Sequence, residues 1–117
     1  MIKEKLKQLR DRYVIAQAWN APLPEFEGAD FFRYRIRFSG RVQKVGFRLE
    51  VSELAKRLGL TGFCKNLPNG DVYAELQGQR DKILFLVSFM GSLVRIRIRE
   101  KTMEEIPVQE ETEFSIK

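Results

Sequence analysis

The chain has 117 residues and a net charge of +5, with one cysteine and no histidine. That length supports one domain around one core, and no apolar run approaches the roughly 20 residues of a membrane span. The residue inventory excludes an internal disulfide, a zinc site, and every Ser-His, Cys-His or phosphohistidine mechanism. Any catalysis falls to Arg, Lys, carboxylates, amides and main-chain groups.

The basic start, Met1-Ile2-Lys3-Glu4-Lys5-Leu6-Lys7, is followed by no apolar core and does not read as a secretory signal. The expected compartment is the cytoplasm. A start methionine and a terminal strand suggest a complete chain rather than a module of a longer enzyme. Residues 1–30 are balanced in charge: Lys3, Lys5, Lys7, Arg10 and Arg12 stand against Glu4, Asp11, Glu25, Glu27 and Asp30. The positive excess lies in residues 31–117, which favours an anionic partner.

The first element is a helix from about Ile2 to Trp19. Ile2, Leu6, Leu9, Tyr13 and Ala16 recur at helical spacing and predict its buried stripe. Phe85 and Phe89 of a later helix are candidate partners for that stripe, in the same chain or in a homodimer. Ala21-Pro22-Leu23-Pro24 breaks the helix, and an acidic connector ends at Asp30. The chain thus divides into an N-terminal extension, 1–30, and a main domain, 31–117.

Phe31 to Phe38 alternates as a half-buried strand, with Arg33, Arg35 and Arg37 on one face. Ser39-Gly40 ends it. A helix follows from about Phe47 to Leu58, with Gly59 past its end. Thr61 to Lys65 is a short strand in which Cys64 reads as a small core residue. Leu67-Pro68-Asn69-Gly70 is a hairpin turn. Asp71 to Gln77 returns with Val72, Ala74 and Leu76 facing in. A second helix spans about Arg80 to Met90 and stops at Gly91. Leu93 to Glu100 alternates again, setting Arg95, Arg97 and Arg99 against Val94, Ile96 and Ile98. A last strand lies near Thr112 to Ile116. The order βαββαβ, with right-handed crossovers, predicts an α+β, ferredoxin-like sandwich: an antiparallel sheet with two helices on one face, plus the extra N-terminal helix.

Two stretches carry the chemistry. Gly40-Arg41-Val42-Gln43-Lys44-Val45-Gly46-Phe47-Arg48 is a loop between a strand and a helix start. Main-chain N–H groups and the positive end of the helix dipole converge at such a junction, and an arginine can clamp an anion there. Gly62-Phe63-Cys64-Lys65-Asn66-Leu67-Pro68-Asn69-Gly70 places a polar amide beside a turn.

The second stretch, extended through Val72 to Gly78, resembles the signature of the acylphosphatase family. The first resembles it in Gly40, Val42, Gln43, Val45, Phe47 and Arg48. The resemblance covers about residues 31–117. It implies hydrolysis of a carboxyl–phosphate mixed anhydride without metal, cofactor or covalent enzyme intermediate. It also implies a small-molecule acylphosphate as substrate, with inorganic phosphate or sulfate as a site ligand. By this likeness Arg48 is the essential arginine, residues 41–48 form the phosphate loop, and Asn66 orients the attacking water. The chain departs from the family in Lys44, where a glycine is usual, and in Phe38, where an aliphatic residue is usual. A lysine held at positive φ carries a strain of about 1 kcal/mol, and its side chain projects near the anion.

The chemistry suits these residues independently of the likeness. A carboxylate leaving group needs little protonation, so a general acid is dispensable. What remains is neutralising the phosphoryl oxygens and aiming a water in line. A nest of N–H groups with Arg48 does the first; the Asn66 amide offers an acceptor and donors for the second. The rival reading is a non-catalytic module that binds nucleic acid or an acidic protein through six arginines on the open sheet face. RNA-binding domains of the same strand order stack bases on aromatics from that face. Here the first strand presents arginines instead, so nucleic acid is not the expected partner. Ion pairs from Asp71 and Glu75 to those arginines are the expected arrangement.

Overall fold

A computed structural model describes residues 1–117. The elements are α1 (Ile2–Asn20), β1 (Phe31–Arg41), α2 (Phe47–Leu58), β2 (Thr61–Asn66), β3 (Val72–Gln79), α3 (Arg80–Ser92), β4 (Arg97–Ile106) and β5 (Phe114–Ile116). The sheet order is β4-β1-β3-β2-β5. β1 pairs antiparallel with both β3 and β4, β2 pairs antiparallel with β3, and only β5 runs parallel to its neighbour β2. This is the expected ferredoxin-like sandwich with a parallel strand added at one edge.

The core lies between the sheet and the pair α2 and α3. Ile36, Phe38, Val72, Ala74 and Leu76 from the sheet meet Val51, Leu54, Ile83, Leu86 and Met90 from the helices, all without solvent exposure. Cys64 is buried among them, and burial pushes its thiol up to about 12.

Five boundaries and faces differ from the sequence reading. β1 does not stop at Ser39; it continues to Arg41 through a bulge between Ser39 and Gly40. Gly40 sits at φ 127, where a Cβ would stand 2.2 Å from the Arg97 carbonyl oxygen, so only glycine lets the strands approach at the bulge. α3 runs past Gly91 to Ser92, because Gly91 stays helical and the Ser92 hydroxyl donates to the Phe89 carbonyl at 2.7 Å.

The strand expected over Leu93 to Glu100 forms instead over Arg97–Ile106. Leu93 and Ile96 are buried by a turn closed by Ile96 N–H to Leu93 C=O at 3.1 Å, and Val94 is fully exposed. The apolar alternation of 93–98 therefore marks a turn anchored in the core. The charged stretch after it forms an edge strand, where charge discourages further pairing.

The six-arginine face does not exist. Arg95 leaves the sheet altogether and donates to Glu50 of α2 at 2.5 Å. Arg33 is 1 % exposed: it pairs with Glu75 at 2.8 Å and with Glu111 at 2.8 Å, and donates to Gln77 at 3.1 Å. Glu111 lies in the segment that must cross the sheet from β4 at one edge to β5 at the other, and that crossing covers Arg33. Arg35 and Arg37 remain exposed, in ion pairs with Glu104 and Asp71 at 2.7 Å each. The pairing through Asp71 and Glu75 is as expected.

α1 buries a different face from the expected one. Ile2, Leu6, Leu9 and Tyr13 are exposed, while Val14 and Ala18 are fully buried. The helix packs on α2, not on Phe85 and Phe89 of α3. Phe85 instead meets Phe26 of the connector edge-on at 5.7 Å. Polar contacts on the α2 side explain the choice: Arg57 donates to the Ala18 and Ala21 carbonyls at 2.9 and 2.6 Å, and Trp19 Nε1 donates to Glu53 at 3.2 Å. No helix is long and apolar enough to cross a membrane.

Candidate active site

The loop from Val42 to Gly46 begins where the bulged end of β1 leaves the sheet and ends where α2 starts. Gly46, the residue before α2, adopts φ 77, and no side chain caps the helix. No turn, loop or cap hydrogen bond starts from a main-chain N–H of residues 43–49; the first is Glu50 N–H to the Gly46 carbonyl at 3.0 Å. The start of α2 thus carries unused donors together with the positive end of a helix dipole.

The carbonyl side of the same loop is held by cations. Arg10 of α1 donates to the Lys44 carbonyl at 3.2 Å, and Arg95 donates to the Val45 carbonyl at 2.7 Å. In a trans peptide the C=O and the following N–H point in opposite directions. Fixing these carbonyls therefore also fixes the N–H groups of Val45 and Gly46. Arg95 reaches Gln17 of α1 at 2.6 Å as well as Glu50, so it ties loop, α1 and α2 together. Glu50 is fully buried, and burial raises its pKa despite the Arg95 contact.

A cleft of about 210 Å³ opens beside the loop, lined by Val42, Lys44, Gly46, Phe47, Arg48 and Leu49, with Asn66 and Ile116 from the sheet. Arg48 and Asn66, expected together from sequence, do share this cleft. Arg48 makes one hydrogen bond, to the Lys117 carbonyl at 3.3 Å, which leaves its other N–H groups for a ligand. Lys117 N–H in turn donates to the Cys64 carbonyl of β2 at 2.9 Å. The arginine is thereby tied to the strand that ends in Asn66, which is exposed at the cleft.

The other expected loop residues separate into groups. Lys44 adopts φ 63, the left-handed conformation that its place in a glycine position implied. Val42 and Phe47 are buried beneath the cleft. Gln43 turns away from it, its side-chain amide donating to the Leu67 and Asp71 carbonyls of the β2–β3 turn at 2.9 and 2.8 Å. Val45 packs against the core. Arg41 is exposed at the end of β1, outside the cleft wall.

Sequence reasoning missed the third side of the cleft. Lys7, Arg10 and Asp11 of α1 line it. The charge pattern of residues 1–30 gave no sign of this, since lysines and acids alternate there as on any solvated helix.

The acylphosphatase family model matches residues 34–116. This chain belongs to the acylphosphatase family. It is 39% identical over 90 residues to an acylphosphatase of Clostridium beijerinckii, an alignment spanning 73% of this chain and 97% of the relative. The structure of an acylphosphatase from Coxiella burnetii superposes with a TM-score of 0.70 at 32% identity, covering 75% of this chain and 94% of that one. The acylphosphatase from Bacillus subtilis does so with 0.69 at 28% identity, covering 74% and 98%. The matched family region leaves out α1, so the cations on the third side of the cleft come from outside it. A non-catalytic arginine-face binder is not favoured by these likenesses, nor by the ion pairs that occupy Arg33, Arg35, Arg37 and Arg95.

Proposed function

We propose that this hydrolase of acylphosphates binds the phosphoryl group in the loop of residues 41–48, with Arg48 as its clamp, and that Asn66 aims the attacking water. The unused N–H donors of residues 43–49, in a loop that lines one cleft with Arg48 and Asn66, carry this reading. As the bond to the carboxylate leaving group lengthens, negative charge on the phosphoryl oxygens meets donors already in place, so little reorganisation is needed. Asn66 accepts from the water through its carbonyl oxygen and holds it in line. The carboxylate departs without a proton donor. The products are the carboxylate and inorganic phosphate, and sulfate is the natural mimic of the latter.

The reading places the chain in the cytoplasm, in keeping with a buried, unpaired Cys64. It divides the chain into an extension over residues 1–30 and a catalytic domain over 31–117, a division supported by the matched family span. The exposed stripe Ile2, Leu6, Leu9 and Tyr13 is the surface a homodimer would use. Light scattering of wild type and of Leu6→Ser/Leu9→Ser tests that contact; two monomers of equal mass remove it.

The test of the catalytic reading is hydrolysis of benzoyl phosphate in chelator-treated buffer by wild type, Arg48→Gln and Asn66→Ala. Loss of either group is expected to lower kcat by about 100-fold or more. An inactive wild type, or unaffected variants, would overturn it.

A further inference from the structure

Helix α1 lies outside the matched family region, yet it is built into the cleft. Arg10 holds the Lys44 carbonyl, Val14 packs on Gly46, and Gln17 shares Arg95 with the loop. The helix is a wall of the site. It brings two cations, Lys7 and Arg10, and one carboxylate, Asp11, which is already paired with Arg10 at 3.1 Å. Lys7 is exposed and makes no ion pair or hydrogen bond. Lys44 of the loop, whose carbonyl Arg10 holds, lines the same cleft and is also exposed and unpaired. With Arg48, the lining holds four cations against one carboxylate.

One phosphoryl group gripped by Arg48 and the loop amides does not account for that excess. Two free ammonium groups at the mouth of a cleft focus the field on whatever extends out of it, and what extends out of it is the acyl part of the substrate.

We propose that Lys7 of α1, together with Lys44 of the loop, forms a second anion subsite that selects acylphosphates whose acyl group carries its own negative charge, as a carboxylate or a phosphoryl group. This rests on the reading of the loop as the phosphate site and adds the substrate class. Both lysines are fully hydrated ammonium groups on flexible stems, so they recognise charge without demanding a fixed geometry. The acyl part need only reach the rim.

The experiment compares rigid substrates with the full chain: benzoyl phosphate, 4-carbamoylbenzoyl phosphate, 4-carboxybenzoyl phosphate and 4-phosphonobenzoyl phosphate. The carbamoyl compound is the neutral control for ring electronics, and the last two distinguish carboxylate from phosphoryl recognition. The quantity read is the ratio of kcat/KM for a charged substrate to that for the carbamoyl control, in wild type, Lys7→Gln and Lys7→Glu. Wild type is expected to favour the charged substrates by about five-fold at low salt, as a solvent-exposed ion pair allows, and the preference falls with added salt. Lys7→Gln lowers the ratio by about three-fold and Lys7→Glu takes it below one. A structural role for Lys7 would not follow the sign of the charge. A ratio of one in wild type, or equal ratios in all three proteins, overturns the subsite while leaving the catalytic reading intact. Calorimetry with benzylphosphonate and 4-carboxybenzylphosphonate reads the subsite without turnover. If nothing is hydrolysed but the carboxylated phosphonate still binds more tightly in a Lys7-dependent way, the subsite stands and the catalytic reading falls. If nothing is hydrolysed and neither phosphonate binds, both fall.

Discussion

Gln43 donates from Nε2 to the carbonyl oxygen of Leu67 at 2.9 Å, and its second amide hydrogen goes to the carbonyl of Asp71 at 2.8 Å. Leu67 N–H also donates to the Asp71 carbonyl, at 2.8 Å. One side-chain amide thus joins the anion loop to both arms of the β2–β3 turn, directly after Asn66. The in-line geometry depends on this joint, because Arg48 belongs to one side of it and Asn66 to the other.

Gln43→Ala is therefore expected to lower kcat for benzoyl phosphate by about 10-fold or more, since small misplacements of a positioned water are costly. It also leaves two part-buried carbonyls short of a donor, at a cost of about 1–2 kcal/mol in stability. Steady-state kinetics beside urea unfolding separates the two effects. Lost stability with intact kcat would make the joint purely structural.

Gly46 carries α1 as well as the loop. A Cβ built on it stands 2.9 Å from Cγ2 of Val14, and its φ of 77 already disfavours a side chain. Gly46→Ala combines that clash with left-handed strain of about 1–2 kcal/mol. In a Val14→Ala background the clash disappears and only the strain remains. The two substitutions are thus expected to be non-additive, with the double variant more stable than the sum of the single losses by about 0.5 kcal/mol or more. Strict additivity in denaturant unfolding would show that α1 does not bear on Gly46.

Much of this architecture is legible in the residues. The alternation through Phe38, the Asn69-Gly70 turn and the stripe from Phe47 to Leu58 each report a local period, and local periods survive into the fold. Arg48 and Asn66 are legible through the motif they sit in. Long-range pairing is not. Arg33 reads as a surface arginine because nothing in its neighbourhood announces Glu111 passing overhead. The apolar residues from Leu93 to Ile98 obey a strand's period while Leu93 and Ile96 plug the core from a turn. In α1, Val14 and Ala18 form a two-residue contact too narrow to stand out beside the wider stripe of Leu6, Leu9 and Tyr13. That contact is what places Lys7 and Arg10 at the cleft, so the error in the helix face and the missed third wall have one cause.

Glu50 makes stability depend on pH in a definite direction. It is fully buried, gives Oε1 to Arg95 and leaves Oε2 without a partner. Burial lifts its pKa above the ordinary carboxylate value, against the opposing pull of Arg95. A carboxyl with a raised folded pKa binds more protons folded than unfolded. Its contribution is complete below the unfolded value and is lost as pH rises through the folded one. Asp71 shifts the opposite way, held down by Arg37, but it is common to wild type and Glu50→Gln and cancels between them. The stability of wild type minus that of Glu50→Gln, from urea unfolding between about pH 4 and pH 8, is expected to fall as pH rises. A difference that climbs with pH would falsify the assignment.

Lys44 joins a backbone cost to a side-chain charge, and two substitutions pull these apart. Its φ of 63 lies where a side chain costs about 1–2 kcal/mol relative to glycine, offset by the roughly 0.5–1 kcal/mol that glycine loses in conformational entropy on folding. Lys44→Gly is therefore expected to gain about 0.5 kcal/mol, whereas Lys44→Ala keeps the strain and stays near wild type. Both variants remove the same ammonium group from the cleft, while the Arg10 bond goes to the main-chain carbonyl and survives in each. Loss of charge alone raises KM for an acylphosphate equally in the two. If glycine restores a loop shape that lysine had compromised, kcat rises in Lys44→Gly and not in Lys44→Ala. Steady-state kinetics on both variants, beside their unfolding midpoints, assigns the lysine to charge or to shape, and equal stability of the two would remove the strain argument altogether.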